Sequence, residues 1–175
     1  MAGPIEIDVW QGEIAELELD ALVVAANESL FMTAGPAASV KRHGGLEIEH
    51  AAVDQGPIAP GQAVATTAGT LAATYVIHAV AVGHDLRADA EILRAAIDAA
   101  LAYAEPLQLR RMAFALIGAE RGSFPADEAA EQLVLALTRH GEQRDRPELV
   151  VIAAANPVEF RAASDALERQ QTRVP

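Results

Sequence analysis

Apolar residues along this chain fall into short continuous runs separated by segments of helical spacing. The run Ala21-Leu-Val-Val-Ala-Ala, which ends at Asn27, is typical of a strand buried on both faces. It is far shorter than the roughly 20 apolar residues that a membrane-spanning helix needs. Runs rich in Val, Ile and Thr predict strands at residues 5–10, 21–26, 62–67, 74–80, 111–117 and 148–153.

Helical patterns lie between these strands. They predict helices at residues 36–43, 46–55, 89–104 and 127–139, and a last one that begins after Asn156. Asn156 is a preferred N-cap, Pro157 suits a first helical turn, and Glu159 follows at the third position. This alternation predicts a single domain over residues 1–175, a three-layer α/β/α fold around a mixed, largely parallel six-stranded sheet.

Composition narrows the class of protein. The chain has 175 residues, of which 51% are hydrophobic, and it contains no cysteine, which excludes a disulfide framework and a thiol nucleophile. A net charge of −12 argues against binding to a nucleic-acid backbone. The first residues show no basic segment leading into an apolar one, so we expect a soluble, cytoplasmic protein without a membrane partner. The five histidines show no metal-ligand spacing, and we predict neither a metal nor a cofactor.

One strand end is a candidate ligand site. Asn27 would stand at the carboxyl end of its strand, where open parallel sheets bind their ligands. Downstream, Gly35 allows close approach of the backbone and Pro36 suits the start of a helix, whose free N–H groups could face an anion.

The order of several short motifs resembles the macrodomain, the ADP-ribose-binding module. These motifs occupy residues 11–14, 20–27, 34–38, 43–45, 61–67, 75–78 and 113–125, and the resemblance covers about residues 5–168. The resemblance implies that ADP-ribose, free or attached to protein, is the partner. It implies the same three-layer fold that the strand and helix alternation predicts.

The resemblance also implies roles for individual residues. Glu13, with Ile14 beside it, matches the acidic position that recognises the adenine amino group, and a carboxylate can accept from that N–H. A solvated or helix-capping glutamate is the alternative for Glu13. Asn27 matches the asparagine that binds the distal ribose, and an Asx turn at the strand end is the alternative there.

Two loops would hold the diphosphate. In the first, at residues 33–38, the N–H groups of Gly35, Ala37 and Ala38 would face the phosphates, while Pro36 has none to offer. The second would follow the fifth strand and include Ile117, Gly118, Ala119, Glu120, Arg121, Gly122, Ser123 and Phe124. An inward Glu120 would repel a diphosphate, whereas an inward Arg121 would bind it. The sequence leaves both orientations open.

Catalysis is less clearly indicated. In MacroD-type hydrolases of this family an aspartate follows the matching asparagine by about ten residues, and here that position is Ala37. A methyl group cannot activate water, so that route is not available. The remaining catalytic candidates are Asn27, Glu120 and His84, whereas His78 fits a hydrogen-bonded structural histidine better than a base. The aromatic residue expected to stack on adenine falls on Ala155, with Phe160 as the nearest substitute.

Three functions remain open on the sequence alone. The first is a module that binds ADP-ribose or a related nucleotide diphosphate, free or attached to protein. The second is a hydrolase that removes ADP-ribose from modified proteins without the MacroD-type aspartate. The third is a macrodomain scaffold whose cleft no longer binds nucleotides.

Overall fold

A twisted sheet organises the molecule. The computed structural model describes residues 4–82, 89–120 and 123–173. Within them six strands run as β1 (Glu6–Gln11), β2 (Ala21–Asn27), β3 (Ala63–Thr67), β4 (Tyr75–Val82), β5 (Arg111–Ala115) and β6 (Leu149–Ala154). Their order in the sheet is β1-β6-β5-β2-β4-β3. All neighbours pair in parallel except β3, which runs antiparallel to β4 at the edge.

Helices cover both faces of this sheet. They are α1 (Gly35–Gly44), α2 (Leu46–Val53), α3 (Ala90–Leu101), α4 (Ala126–Gln143) and α5 (Pro157–Arg173), with a 3-10 turn at Ile14–Glu16. The first two helices and the 3-10 turn pack on one face, and the other three pack on the opposite face. The three-layer α/β/α fold with a mixed, largely parallel sheet is therefore confirmed. No helix among the described residues is long and apolar enough to cross a membrane.

The central strand β2 is buried on both faces, as its unbroken apolar run predicted. Leu22 and Val24 point into the core beneath α1 and α2, while Ala21 and Val23 join the core beneath α3 and α4. All four are fully buried. The last three residues of the strand, 25–27, are only partly buried. Because β2 lies between β5 and β4, its carboxyl end emerges from the middle of the sheet.

Element ends differ from prediction where the chain turns locally. Strand β5 was predicted to reach residue 117 but ends at Ala115, because the Ile117 N–H donates to the Ala115 carbonyl at 2.8 Å and turns the chain into a loop. Helix α4 continues four residues beyond the predicted end at residue 139, to Gln143. The start of α5 is as predicted: the Glu159 N–H donates to Oδ1 of Asn156 at 3.0 Å.

Hydrogen bonds and an ion pair connect the amino ends of three neighbouring strands. Asp20, just before β2, accepts the N–H groups of both Arg110 and Arg111 through Oδ2, each at 2.8 Å. Arg110 also forms a two-pronged ion pair with Glu148, with both N···O distances at 2.9 Å. This network ties β2, β5 and β6 together at the edge of the sheet where these three strands begin.

Candidate ligand-binding cleft

A cavity of about 160 Å³ opens at the carboxyl ends of β2 and β4. Strand ends form its floor, and the segments after β2 and after β5 form its walls. Among the described residues it is lined by Ala25, Ala26, Asn27, Phe31, Thr33, Ala34, Ala37, Ala81, Val82, Gly118, Glu120 and Ser123. The structure thus brings Asn27 together with both predicted phosphate loops. Among the described lining residues there is no lysine or arginine.

Asn27 presents a polar group to this cavity. Its Nδ2 donates to the carbonyl of Phe31 at 3.4 Å. Its Oδ1 is buried and has no hydrogen-bond partner among the described residues. A buried acceptor without a donor is costly, and buried polar groups in folded proteins are nearly always satisfied. A hydroxyl group of a ligand would supply the missing donor.

The first loop leads directly into α1. Gly35 has a φ of +58°, in the left-handed region that favours glycine, and the helix begins there with Pro36 in its first turn. The N–H groups of the first helical residues, Gly35 and Ala37, have no acceptor within the helix. The N–H of Ala38, in contrast, donates to the Ala34 carbonyl at 3.2 Å. The donors that this loop can offer are therefore fewer than the sequence suggested.

Several main-chain N–H groups of the second loop are bonded within the loop. The N–H groups of Ala119, Ser123 and Phe124 donate to carbonyls within the loop, at 3.2, 3.3 and 2.9 Å. Gly118 has a φ of +94°, and a Cβ there would lie 3.1 Å from Leu93 and Phe124. Among the described residues of this loop, at least three main-chain donors are therefore used within the loop itself. Arg121 and Gly122 lie outside the described residues.

Glu120 faces the first loop. A Cβ built on Gly35 would lie 3.0 Å from Oε2 of Glu120, so the carboxylate rests against the glycine that starts α1. The Oε1 atom of Glu120 is buried, and the residue lines the same cavity as Ala37 and Asn27. Of the two orientations that the sequence left open for Glu120, the structure has the inward one. A carboxylate therefore occupies the cleft although position 37 carries only a methyl group.

Glu13 lies outside the residues that line the cavity. It follows β1 and precedes the 3-10 turn, and its carboxylate is held by α1: Ser39 donates to Oε2 at 2.9 Å, and Arg42 approaches Oε1 at 3.5 Å. His43 lies 3.5 Å from Oε2. Ile14, predicted beside it, is 3% exposed and packs in the core, so only its main chain could reach a ligand. The adenine role of Glu13 remains a prediction.

The position where an aromatic residue was expected is open. Ala155 is exposed, and its N–H donates to Oε2 of Glu159 at 2.8 Å, which closes the first turn of α5. Phe160 on α5 is 38% exposed. Neither residue lines the cavity at the ends of β2 and β4.

The histidines contribute no described group to the cavity. His78, in β4, is 1% exposed, and its Nε2 lies 2.9 Å from the Thr66 hydroxyl of β3. Burial lowers the pKa of His78 to about 4, so it is neutral near pH 7. His84 lies outside the described residues. Within the described part of the chain, no group of three or more acidic or histidine side chains is arranged to hold a metal ion.

Phe31 is a cavity residue that no sequence pattern identifies. It lies four residues beyond Asn27 and is 52% exposed. Aromatic residues make up only 4% of this chain, but that scarcity does not single out Phe31 from the others.

The chain is thus an α/β protein with a cavity at the carboxyl ends of its central strands, between the segments that follow β2 and β5. The family model described as the Macro domain matches residues 23–133, which is more than half of the chain. The chain belongs to the Macro domain family.

Relatives and solved structures agree with this assignment. An uncharacterised protein of Mycobacterium tuberculosis is 39% identical over 167 residues, covering 94% of this chain but 45% of the relative. The chain thus spans about half the length of the mycobacterial proteins it matches. A macro domain-containing protein of Cupriavidus necator is 36% identical over 138 residues, with 75% and 79% of the two chains covered.

The fold is also that of solved macrodomains. The Oceanobacillus iheyensis macrodomain with ADP superposes with a TM-score of 0.88 at 19% identity, covering 99% of this chain and 96% of the other. The Trypanosoma brucei macrodomain in complex with ADP-ribose gives a TM-score of 0.85 at 21% identity, covering 93% and 69%.

Proposed function

We propose that this chain binds ADP-ribose, or a related nucleoside diphosphate, free or attached to protein, in the cleft at the carboxyl ends of β2 and β4. The observation that carries the proposal is Asn27, whose buried Oδ1 has no donor among the described residues. A ribose hydroxyl is a donor of the right kind. Membership of the Macro domain family and the fold shared with macrodomains solved with ADP and ADP-ribose support the same ligand class.

The size of the cavity fits part of such a ligand. Pockets that enclose a drug-sized molecule measure about 300–1,000 Å³, whereas this cavity has about 160 Å³. The cavity would therefore enclose a sugar and the adjoining phosphate, with the rest of the nucleotide lying along the surface between the two loops. Glu13 and the exposed region near Ala155 and Phe160 would then be reached only by the base.

Calorimetric titration with ADP-ribose, ADP and AMP tests the binding proposal. Asn27→Ala should weaken ADP-ribose binding by about 1–3 kcal/mol, the cost of removing a buried hydrogen-bonding partner. Gln143→Ala, an exposed amide at the end of α4, is the matched control and should leave the affinity unchanged. If Asn27→Ala lowers only the melting temperature and not the affinity of the folded protein, Asn27 has a turn-forming role and the proposal loses its main support. Absence of binding by the natural protein would support the scaffold alternative.

Hydrolysis is the second candidate, because Glu120 brings a carboxylate into a cleft in which Ala37 has none. A carboxylate within reach of a bound sugar can act as a general base toward water. We nevertheless favour binding, since Glu120 lies against the helix start where the diphosphate would rest rather than beside Asn27's free oxygen.

Release of ADP-ribose from a mono-ADP-ribosylated protein separates the two candidates. We expect no release by the natural protein, with ADP-ribose binding retained. Release that disappears in Glu120→Gln while binding persists would instead establish a hydrolase. Ala37→Asp provides a further comparison, since it restores a carboxylate at the MacroD-type position and should create activity only if the rest of the site can hold water and substrate.

A further inference from the structure

The phenyl ring of Phe31 stands exposed on the wall of the cleft. It is 52% exposed and lines the same cavity as Asn27, whose Nδ2 donates to the Phe31 carbonyl. Single exposed aromatic residues are common on protein surfaces and need no explanation by themselves. The exposure of Phe31, however, is imposed by the residues on either side of it.

Both sequence neighbours of Phe31 are locked into the core. Leu30 is 1% exposed and Met32 is 2% exposed, and they belong to the clusters beneath α2 and α1. Leu30 has a φ of +64°, a conformation that side-chain-bearing residues adopt only when their surroundings impose it. Its N–H donates to the Asn27 carbonyl at 3.0 Å. With its neighbours turned inward, the ring of Phe31 is directed outward.

Glu49 fixes this arrangement from α2. The residue is 9% exposed, and its Oε2 accepts hydrogen bonds from the Met32 N–H at 2.6 Å and from Lys41 Nζ at 3.0 Å. Lys41 is the only lysine in the chain and comes from α1. Burial raises the pKa of Glu49, but the hydrogen bonds from Met32 and Lys41 outweigh it and leave the pKa below its usual value. Through these two hydrogen bonds the buried Glu49 carboxylate connects α2 to α1 and to the segment that carries Phe31.

We propose that Phe31 is a specificity-determining contact for the part of the ligand beyond the diphosphate. In this arrangement a ring of the ligand stacks with its flat face on the phenyl group of Phe31, and Glu49 is the positioning residue that holds the Phe31 segment in place. This inference rests on the proposed function. Asn27 and Phe31 line the same cavity, so a sugar bound at Asn27 would lie close to Phe31. The floor beneath it, formed by Ala81 and Val82, is apolar, as a stacked ring requires.

Three ligands separate the possible sources of that ring. ADP ends at the diphosphate, ADP-ribose adds a sugar ring, and NAD⁺ adds a planar ring to the same sugar. Phe31→Ala should weaken ADP-ribose binding about tenfold, within the range that alanine substitution gives for aromatic stacking partners, and should leave ADP binding within about twofold of the natural protein. An NAD⁺ loss greater than the ADP-ribose loss assigns the stack to the planar ring, and equal losses assign it to the sugar.

Further variants test whether ADP-ribose affinity depends on the aromatic ring or only on the loss of apolar surface. Phe31→Tyr keeps the ring and should retain ADP-ribose affinity, whereas Phe31→Leu keeps an apolar side chain and should lose it. Leu135→Ala, an exposed apolar residue on α4 outside the cavity, is the control. Unchanged affinity of Phe31→Ala for both ADP-ribose and NAD⁺, or an equal loss for ADP, would overturn the inference while leaving the proposed function intact. A natural protein that binds none of the three ligands would contradict both.

The positioning role has its own test. Glu49→Gln keeps one acceptor for Met32 but loses the charge that Lys41 requires, and Glu47→Gln on the exposed side of α2 is the control. We expect Glu49→Gln to lower the preference for ADP-ribose over ADP about fivefold in protein shown to be folded by circular dichroism. If ADP and ADP-ribose weaken equally, Glu49 supports only the fold, and the positioning role is wrong.

Discussion

The burial of His78 predicts a measurable dependence of folding stability on pH. The Thr66 hydroxyl donates its single proton to the Thr67 carbonyl at 3.0 Å, so toward His78 it can only accept, and Nε2 of His78 carries the hydrogen at 2.9 Å. The other ring nitrogen, Nδ1, is buried without a hydrogen-bond partner among the described residues. Protonation would place both a charge and an N–H at that atom, where neither is satisfied.

The magnitude follows from the pKa difference between the folded and unfolded chains. Burial lowers the pKa of His78 from 6.5 to about 4. Between these two values the unfolded chain binds more protons than the folded protein, so stability decreases as the pH falls. The free energy of unfolding should drop by about 2 kcal/mol between pH 7 and pH 5 from this residue alone, and by about 3 kcal/mol at pH 4.

Urea unfolding at pH 7, 6 and 5, for the natural protein and for His78→Leu, measures this effect. Leucine has a similar volume, and the Thr66 hydroxyl keeps its bond to Thr67, so the variant should fold. Subtracting the variant removes the contributions of all other titrating groups. The natural protein should lose about 2 kcal/mol more than the variant over this range. Parallel stability curves for the two proteins would refute the assignment of His78 as a buried neutral histidine.

Three further substitutions test separate parts of the structure. Asp20→Ala removes the acceptor of two main-chain N–H groups and should lower the free energy of unfolding by about 1–3 kcal/mol without changing ADP-ribose affinity, measured by urea unfolding and calorimetry. Asn156→Ala removes the N-cap that binds the Glu159 N–H and should cost about 1 kcal/mol in the same unfolding assay. Gly118→Ala places a Cβ at positive φ against Leu93, so it should cost about 1–2 kcal/mol and also weaken ADP-ribose binding.

The sheet could be predicted because each strand carries a strong local signal. The all-apolar run of β2 can be accommodated only in a strand covered on both faces, and that requirement alone implies helices above and below. The predicted range of β5 was two residues too long because Leu116 and Ile117 are as apolar as a strand requires. They are buried for a different reason, since they pack against α3 and α4 as the chain leaves the sheet.

The site was only partly predictable. Asn27 was found because a polar residue that ends a buried strand needs an explanation. The direction of Glu120 could not be found, because it depends on how closely two loops distant in sequence approach each other at Gly35. The bonds from Ser39, Arg42 and His43 to Glu13 likewise come from a helix whose placement the sequence does not encode locally.

Phe31 and Glu49 were missed for a related reason. A glutamate within a helix of mixed polarity normally faces water, and only the packing of α2 against the segment after β2 buries Glu49. Phe31 is exposed because Leu30 and Met32 on either side of it are buried. Three consecutive large apolar residues would ordinarily lead one to expect the aromatic residue to be buried as well.

The distribution of donors within the cleft indicates which part of a nucleotide this protein would recognise best. The described lining residues include no cationic side chain, and several main-chain donors of the two loops are used internally. The carboxyl group of Glu120 lies beside Gly35, where the proposed phosphates would lie. If the proposed ligand binds here, we therefore expect its diphosphate to contribute less to the affinity and the groups next to Asn27 and Phe31 to contribute more. A protein built in this way should distinguish ADP-ribose from ADP more strongly than it distinguishes ADP from AMP.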